Sequence, residues 1–216
     1  MKHIFLHILK TAGTSFRWTI KENYLPNELY ERDQHEFNWS ELTVEQQREI
    51  KMIYGHLFFG VHNTIAEPCK YITFLRDPVE RIISYYYYVI AQPNNTGYKE
   101  TYGVSLEDFV LKGNQDIASN QQTKALCGSN AVVDFELARK NIEEYFSFVG
   151  VVEQYRKSIK FLGNQLNWQN VIFHELNRTA DKPAVPAHVR KVIEEANKID
   201  RQLYDWVYSR FEEQTK

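Results

Sequence analysis

Apolar residues fall along this chain in two patterns: short unbroken runs, and longer stretches where they recur every three or four residues. Ile4, Phe5, Leu6 and Ile8 form the first run, almost at Met1. With their β-branched and aromatic content, such runs predict strands over 3–8, 53–58, 70–75, 147–152 and 170–174. The stretches between them read as helices. From Phe16 to Tyr24 an amphipathic segment follows the first run, with Thr14 or Ser15 available to cap it. Val79, Ile82, Ile83, Tyr86 and Ile90 lie on one stripe, while Asp77, Glu80, Arg81 and Ser84 fall on a different, polar face. The longest stripe, Val189, Val192, Ile193, Ala196, Ile199, Leu203, Trp206 and Val207, predicts a core-packing helix over 187–213. Strands alternating with helices give an α/β fold, a central parallel sheet with crossover helices. No repeat or low-complexity linker divides the chain, so 1–216 reads as a single domain.

At the carboxyl end of the first strand stands His7-Ile-Leu-Lys-Thr-Ala-Gly-Thr-Ser15. A strand, a short loop with a glycine and several hydroxyls, and a helix start together make an anion cradle. Exposed N–H groups and the positive end of the helix dipole point at one spot, and Lys10 adds a full charge. The plain alternative is an ordinary strand-to-helix turn with a surface lysine. This is not a nucleoside-triphosphate loop of the G-x-x-x-x-G-K-[ST] type, because Lys10 precedes Gly13 by three residues. A G-x-G-x-x-G fingerprint is absent as well, which disfavours an ordinary ATP or NAD fold.

The second informative segment is Lys70-Tyr-Ile-Thr-Phe-Leu-Arg-Asp-Pro-Val-Glu-Arg-Ile-Ile-Ser84. Asp77-Pro78 is a helix start, an N-cap followed by proline at the first helical position. Arg76 at the strand end and Ser84 two turns into the helix can close on one small anion, the first with a planar fork and the second with a hydroxyl. Alternatively Arg76 pairs with Asp77 or Glu80, and Ser84 is merely tolerated in the helix.

With both segments in view, the chain resembles the PAPS-dependent sulfotransferases, specifically the carbohydrate branch with the heparan and uronyl 2-O-sulfotransferases and their bacterial relatives. The family's first loop reads approximately H-I-P-K-T-G-G-T-S and its second T-F-L-R-D-P-V-E-R-x-x-S; here they stand as HILKTAGTS and TFLRDPVERIIS. The likeness continues through Gly55-His56, Asn120-Gln121-Gln122-Thr123-Lys124, Phe148-Val149-Gly150-Val151-Val152-Glu153 and Leu176-Asn177-Arg178, so it covers most of the chain.

The resemblance implies a three-layer, P-loop-like sulfotransferase fold. It also implies transfer of a sulfuryl group from 3′-phosphoadenosine 5′-phosphosulfate (PAPS) to a hydroxyl, expected on a glycan, with adenosine 3′,5′-bisphosphate (PAP) as product. Such a transfer asks mainly for in-line positioning and for charge stabilisation on the leaving oxygen. By resemblance Lys10 neutralises that oxygen, helped by the amides of Thr11, Ala12, Gly13, Thr14 and Ser15 and by the Thr14 and Ser15 hydroxyls. Arg76 and Ser84 then hold the 3′-phosphate. No metal is expected, and the sequence offers no ligand cluster.

A base must take the acceptor's proton, and histidine suits neutral pH. Of seven histidines, His56 in Tyr54-Gly55-His56-Leu57 ends a predicted strand and falls where the resembling enzymes place their catalytic histidine. His7 and His62 read as structural, and His174 as strand-end structure. The chain departs from the family pattern at three places. Leu9 replaces a proline, which frees φ. Ala12 replaces a glycine at a backbone angle that favours glycine. Tyr54 stands where relatives often have a first histidine, whose role is then absent or carried by Tyr54.

Other segments leave alternatives open. Residues 91–107, rich in turn residues and tyrosine, read as a lid or an acceptor wall. Among Tyr85 to Tyr88, one side chain is expected in the core and another is available to stack on a sugar. Residues 177–186 form a second loop, with Lys182 as a phosphate contact. The polar side chains of 120–124 either line the cleft or dress a helix surface.

A net charge of −2 gives no general basic field for nucleic acid. No stretch approaches the ~20 apolar residues of a membrane span, and the first strand leaves no room for a signal peptide. Cys69 and Cys127, far apart, fit reduced thiols. The expectation is a cytoplasmic, bacterial-type enzyme. Two rivals stand beside it: a kinase-like enzyme of the same broad fold, which would bind ATP well without a 3′-phosphate, and a relative that binds nucleotide or glycan without turnover.

Overall fold

The computed structural model describes residues 1–173 and 183–214. Five strands, β1 (Lys2–Leu6), β2 (Leu29–Glu31), β3 (Met52–Gly55), β4 (Cys69–Leu75) and β5 (Phe146–Val151), form one sheet in the order β2-β3-β1-β4-β5. Every pairing is parallel. The helices before and around β4 are α1 (Gly13–Lys21), α2 (Val44–Glu49) and α3 (Pro78–Ile90). Between β4 and β5 follow α4 (Tyr98–Thr101), α5 (Leu106–Lys112), α6 (Gln115–Ala118), α7 (Gln121–Cys127) and α8 (Phe135–Tyr145). Beyond β5 come α9 (Tyr155–Gln165), α10 (Ala187–Ala196) and α11 (Lys198–Gln214).

β1 lies at the centre because its residues are apolar toward both faces, and Ile4, Phe5 and Leu6 are almost wholly buried. From β1 the chain first moves to the β3 side, then returns to place β4 and β5 on the other. The crevice between β1 and β4, outside their carboxyl ends, is therefore the topological switch point where ligands of such sheets gather. The main core packs Ile4, Phe5, Ile53, Ile72 and Phe74 against Phe16 and Ile20 of α1 and Leu203 and Phe211 of α11. A second core joins α3, α5 and α10 through Ile82, Val89, Phe109 and Ile193. Each large side chain buried in this way contributes about 1.5–3 kcal/mol relative to exposure.

The structure departs from the sequence expectation in the following elements. Residues 170–173 are not a strand; they run beside α1, where Asn170 O accepts from Asn23 Nδ2 (2.7 Å) and Ile172 O from Thr19 Oγ1 (3.2 Å). Those side chains take the carbonyls that a sheet would have used. β2, only three residues long, is a strand that hydrophobic pattern did not predict. The helix expected over 187–213 is broken at Asn197 (φ −121°, ψ 34°), whose buried side chain donates to Ala118 O (2.9 Å) and Ile193 O (3.0 Å) and accepts from Asn120 N (3.0 Å). Finally, Arg81 and Ser84 do not lie on a solvated face: Arg81 is completely buried and Ser84 is 4 % exposed. His174, Leu176-Asn177-Arg178 and Lys182 lie outside the described residues.

Candidate active site

The loop from Ile8 to Ala12 turns on two left-handed residues, Lys10 (φ 68°) and Ala12 (φ 64°, ψ 15°). Left-handed backbone costs a non-glycine residue roughly 1–2 kcal/mol, so the departure from glycine at position 12 is a strain that the loop retains. α1 begins directly after Ala12, three residues earlier than the sequence pattern suggested. Neither Thr14 nor Ser15 caps it; both lie inside its first turn. The first helical bond runs from Phe16 N to Ala12 O (3.0 Å), so the amides ahead of it face out of the helix end, as an anion site requires. Thr11 is turned inward, its hydroxyl donating to Ile8 O (2.9 Å) and its amide to the same oxygen (3.4 Å). It braces the loop.

Arg76 leaves the carboxyl end of β4 and reaches back to this loop, where its Nη1 donates to Lys10 O (3.3 Å). Among the described residues no carboxylate forms an ion pair with Arg76; Asp77 instead pairs with Arg201 (2.6 Å), and Glu80 with Arg190 (2.7 Å). Burial lowers the Arg76 pKa, a pull that Glu153, Glu80 and Asp77 only partly offset at a distance. A half-desolvated guanidinium with most of its fork unused is suited to an arriving anion. Asp77 caps α3 as expected, accepting from Glu80 N (3.0 Å). Lys10 Nζ lies 3.7 Å from the centroid of the Tyr88 ring. Ser84 is one turn before Tyr88, on the same face of α3. Lys10 and Arg76, 66 residues apart in sequence, are thus joined by a hydrogen bond, and Ser84 is buried one turn before the ring that covers the Lys10 ammonium.

His56 stands one residue past β3. Its backbone N–H donates to Asp33 Oδ1 (2.8 Å), and its ring Nδ1 is 2.9 Å from His7 O. A carbonyl only accepts, so Nδ1 carries the proton and Nε2 is left with its lone pair free to accept one. The His7 ring lies against His56, centroids 4.1 Å apart and 24° from parallel. On another side His7 fills the space a side chain at position 13 would need: a Cβ on Gly13 would come within 1.8 Å of His7 Nε2. Gly13 is therefore required here by contact, and a single imidazole links the anion loop to His56. Burial holds the His7 pKa well below its ordinary value; a proton on His56 would act in the same direction, as do the positive charges of Lys10 and Arg17. His7 is thereby kept neutral against the His56 ring.

Sequence reading took His7 as structural, and the structure brings it into the site. The signal that would have found it is register: Leu6 pairs with Gly55 along the parallel β1–β3 ladder, so the next step aligns His7 with His56. Tyr54 is buried, its hydroxyl donates to Glu31 Oε2 (2.8 Å), and burial pushes its pKa up to about 12. The ring beside His56 is thus that of His7. His62 is bonded to the Tyr71 hydroxyl (2.8 Å), near the amino end of β4, and is structural. In the 120–124 segment Gln122 and Thr123 are wholly buried, and Gln122 is hydrogen-bonded to the Arg76 main chain. Tyr85 enters the second core and stacks on Phe109, and Tyr98 stacks on exposed Tyr102 in the 91–107 segment.

Among the described residues there is no cluster of His, Cys, Asp or Glu arranged to hold a metal. No helix among them is long and apolar enough to cross a membrane. Cys69 and Cys127 are both free thiols.

Compared with known proteins, residues 2–213 match the family described as "Sulfotransferase family". No curated protein matches the chain. Among solved structures it is similar to the mouse sulfotransferase SULT7A1 complexed with PAP, at 14% identity and a TM-score of 0.44; the match covers 90% of this chain and 64% of that one. The chain thus spans just under two thirds of the length of that protein.

Proposed function

This chain belongs to the sulfotransferase family, and on that premise we propose that it transfers the sulfuryl group of PAPS to a hydroxyl of a carbohydrate acceptor. The observation that carries the reading is the pairing of Arg76 with the Lys10 loop. Arg76, just past β4, donates to the Lys10 main-chain carbonyl in the loop that follows the adjacent parallel strand β1, beside a helix amino terminus, and has no ion-pair partner among the described residues. A nucleotide bearing anionic groups at both its 5′ and 3′ ends fits that distribution of charge.

PAPS, when bound, supplies an SO3 group whose bond to the 5′-phosphate oxygen breaks as a new S–O bond forms to the acceptor oxygen. Lys10 and the amides of Gly13 and Thr14 stabilise the negative charge that develops on the departing side. His56 Nε2 takes the acceptor hydroxyl's proton, and His7 O holds the opposite nitrogen protonated so that the base is presented in the working tautomer. Arg76 and Ser84 hold the 3′-phosphate and give the site its preference for that nucleotide. The Tyr98–Tyr102 pair offers a flat aromatic surface for a sugar ring. The free thiols of Cys69 and Cys127 fit a reducing compartment such as the cytoplasm.

The acceptor class is tested by incubating the protein with PAPS carrying labelled sulfate and a panel of oligosaccharides and simple phenols. Label is expected in one or more oligosaccharides. Label in phenols alone would contradict the carbohydrate assignment.

A further inference from the structure

The side chain that fixes Arg76 belongs neither to the strand that ends there nor to the helix that follows. Gln122, in α7, has no exposed surface, and its amide brackets the Arg76 main chain: Oε1 accepts from Arg76 N and Nε2 donates to Arg76 O, each at 2.9 Å. α7 is itself fastened from below. Asp200, wholly buried in α11, accepts from Gln122 N (3.1 Å), Thr123 N (2.7 Å) and Thr123 Oγ1 (2.7 Å). Asn120, held at φ 46°, accepts from Ile199 N and Asp200 N at 3.0 Å each through Oδ1. From the other side Arg81 of α3 donates to Gln121 Oε1 (2.6 Å) and Ile117 O (2.8 Å), tying the helix that carries Ser84 to the α6–α7 segment.

These bonds run without a gap from α11 through α7 to Arg76, and from the Arg76 side chain to Lys10 O. Position 122 is enclosed, and an apolar side chain of the same size would fill it while leaving Arg76 N and Arg76 O without these partners. What glutamine adds is a fixed main-chain orientation at the residue from which the guanidinium projects. We propose that Gln122 is a positioning residue for nucleotide recognition, acting through Arg76 to aim the guanidinium at the 3′-phosphate. The inference rests on the reading of Arg76 given under Proposed function.

Calorimetric titration with PAP and with AMP, which lacks the 3′-phosphate, separates this role from simple packing. Gln122→Met keeps the volume and removes both hydrogen bonds. It is expected to weaken PAP by about 10-fold or more, in proportion to two lost bonds, and to leave AMP within about two-fold. An unchanged ratio of PAP to AMP affinity in a folded Gln122→Met protein would overturn the proposal, because volume alone would then suffice. Should that variant not fold, Gln122→Leu takes the same titration. It too lacks both amide atoms, so the ratio is expected to fall there as well, and an unchanged ratio would again overturn the role. A wild-type protein that binds PAP no better than AMP would instead remove the assignment of Arg76, and the proposal with it.

Discussion

Replacing His56 with alanine is expected to lower turnover by about 100-fold or more, roughly 2.7 kcal/mol of transition-state stabilisation, with PAP affinity unchanged within about two-fold. The separation follows from geometry. His56 stands past β3, whereas Arg76 and Ser84 follow β4, on the other side of β1. The substitution leaves in place the backbone bond from position 56 to Asp33, so the turn keeps its anchor. It removes the ring that stacks on His7 and whose Nδ1 is held by His7 O, and with it the Nε2 proposed as the base. Steady-state kinetics at saturating PAPS, with PAP titration in parallel, gives both numbers. Wild-type turnover in the variant would remove His56 as the base. Loss of PAP affinity with turnover intact would make it a binding residue.

Lys10→Ala is expected to cost about 100-fold or more in turnover as well, because the full positive charge we propose beside the departing oxygen is worth most when the bond is breaking. The substitution also releases the Tyr88 ring from its contact with the ammonium, and leaves Arg76 its acceptor, since that is the main-chain carbonyl of residue 10. Arg76 should therefore keep its place, and AMP and PAP should keep their relative affinities even if both weaken. Steady-state turnover measured with the PAP-to-AMP affinity ratio checks this. Turnover within a few-fold of wild type would show that the helix amino terminus alone stabilises the leaving group.

Much of this arrangement was legible before the fold was known, and the parts that were not share a cause. β1, β4 and β5 announce themselves as apolar runs, and Asp77-Pro78 marks the start of α3 to the residue, because strand burial and helix capping are local properties. Arg76 follows from the same logic, since it is the polar residue just beyond a buried strand, and Lys10 follows from its place in the loop that leads from β1 to α1. His7 did not, because its meaning depends on the β1–β3 register, which pattern alone does not supply. By pattern Gln122 fits either a cleft lining or a helix surface, and the contact that buries it comes from Arg76, 46 residues away. The break at Asn197 was hidden by an apolar stripe that runs through it, although its cause is a side-chain bond to Ala118 O that no periodicity reports. Arg81 was placed on a polar face for the same reason: a helical wheel knows its own helix and not α6 and α7 lying over it.

The measurement that tests the central claim most directly is a parallel calorimetric titration of the protein with PAP, ADP and ATP, repeated on Arg76→Ala. The account predicts a clear preference for PAP in the wild type and its loss in the variant, since Arg76 at the carboxyl end of β4 is the group assigned to the 3′-phosphate. Equal or tighter binding of ATP in the wild type would contradict it and point to a kinase-like enzyme in its place.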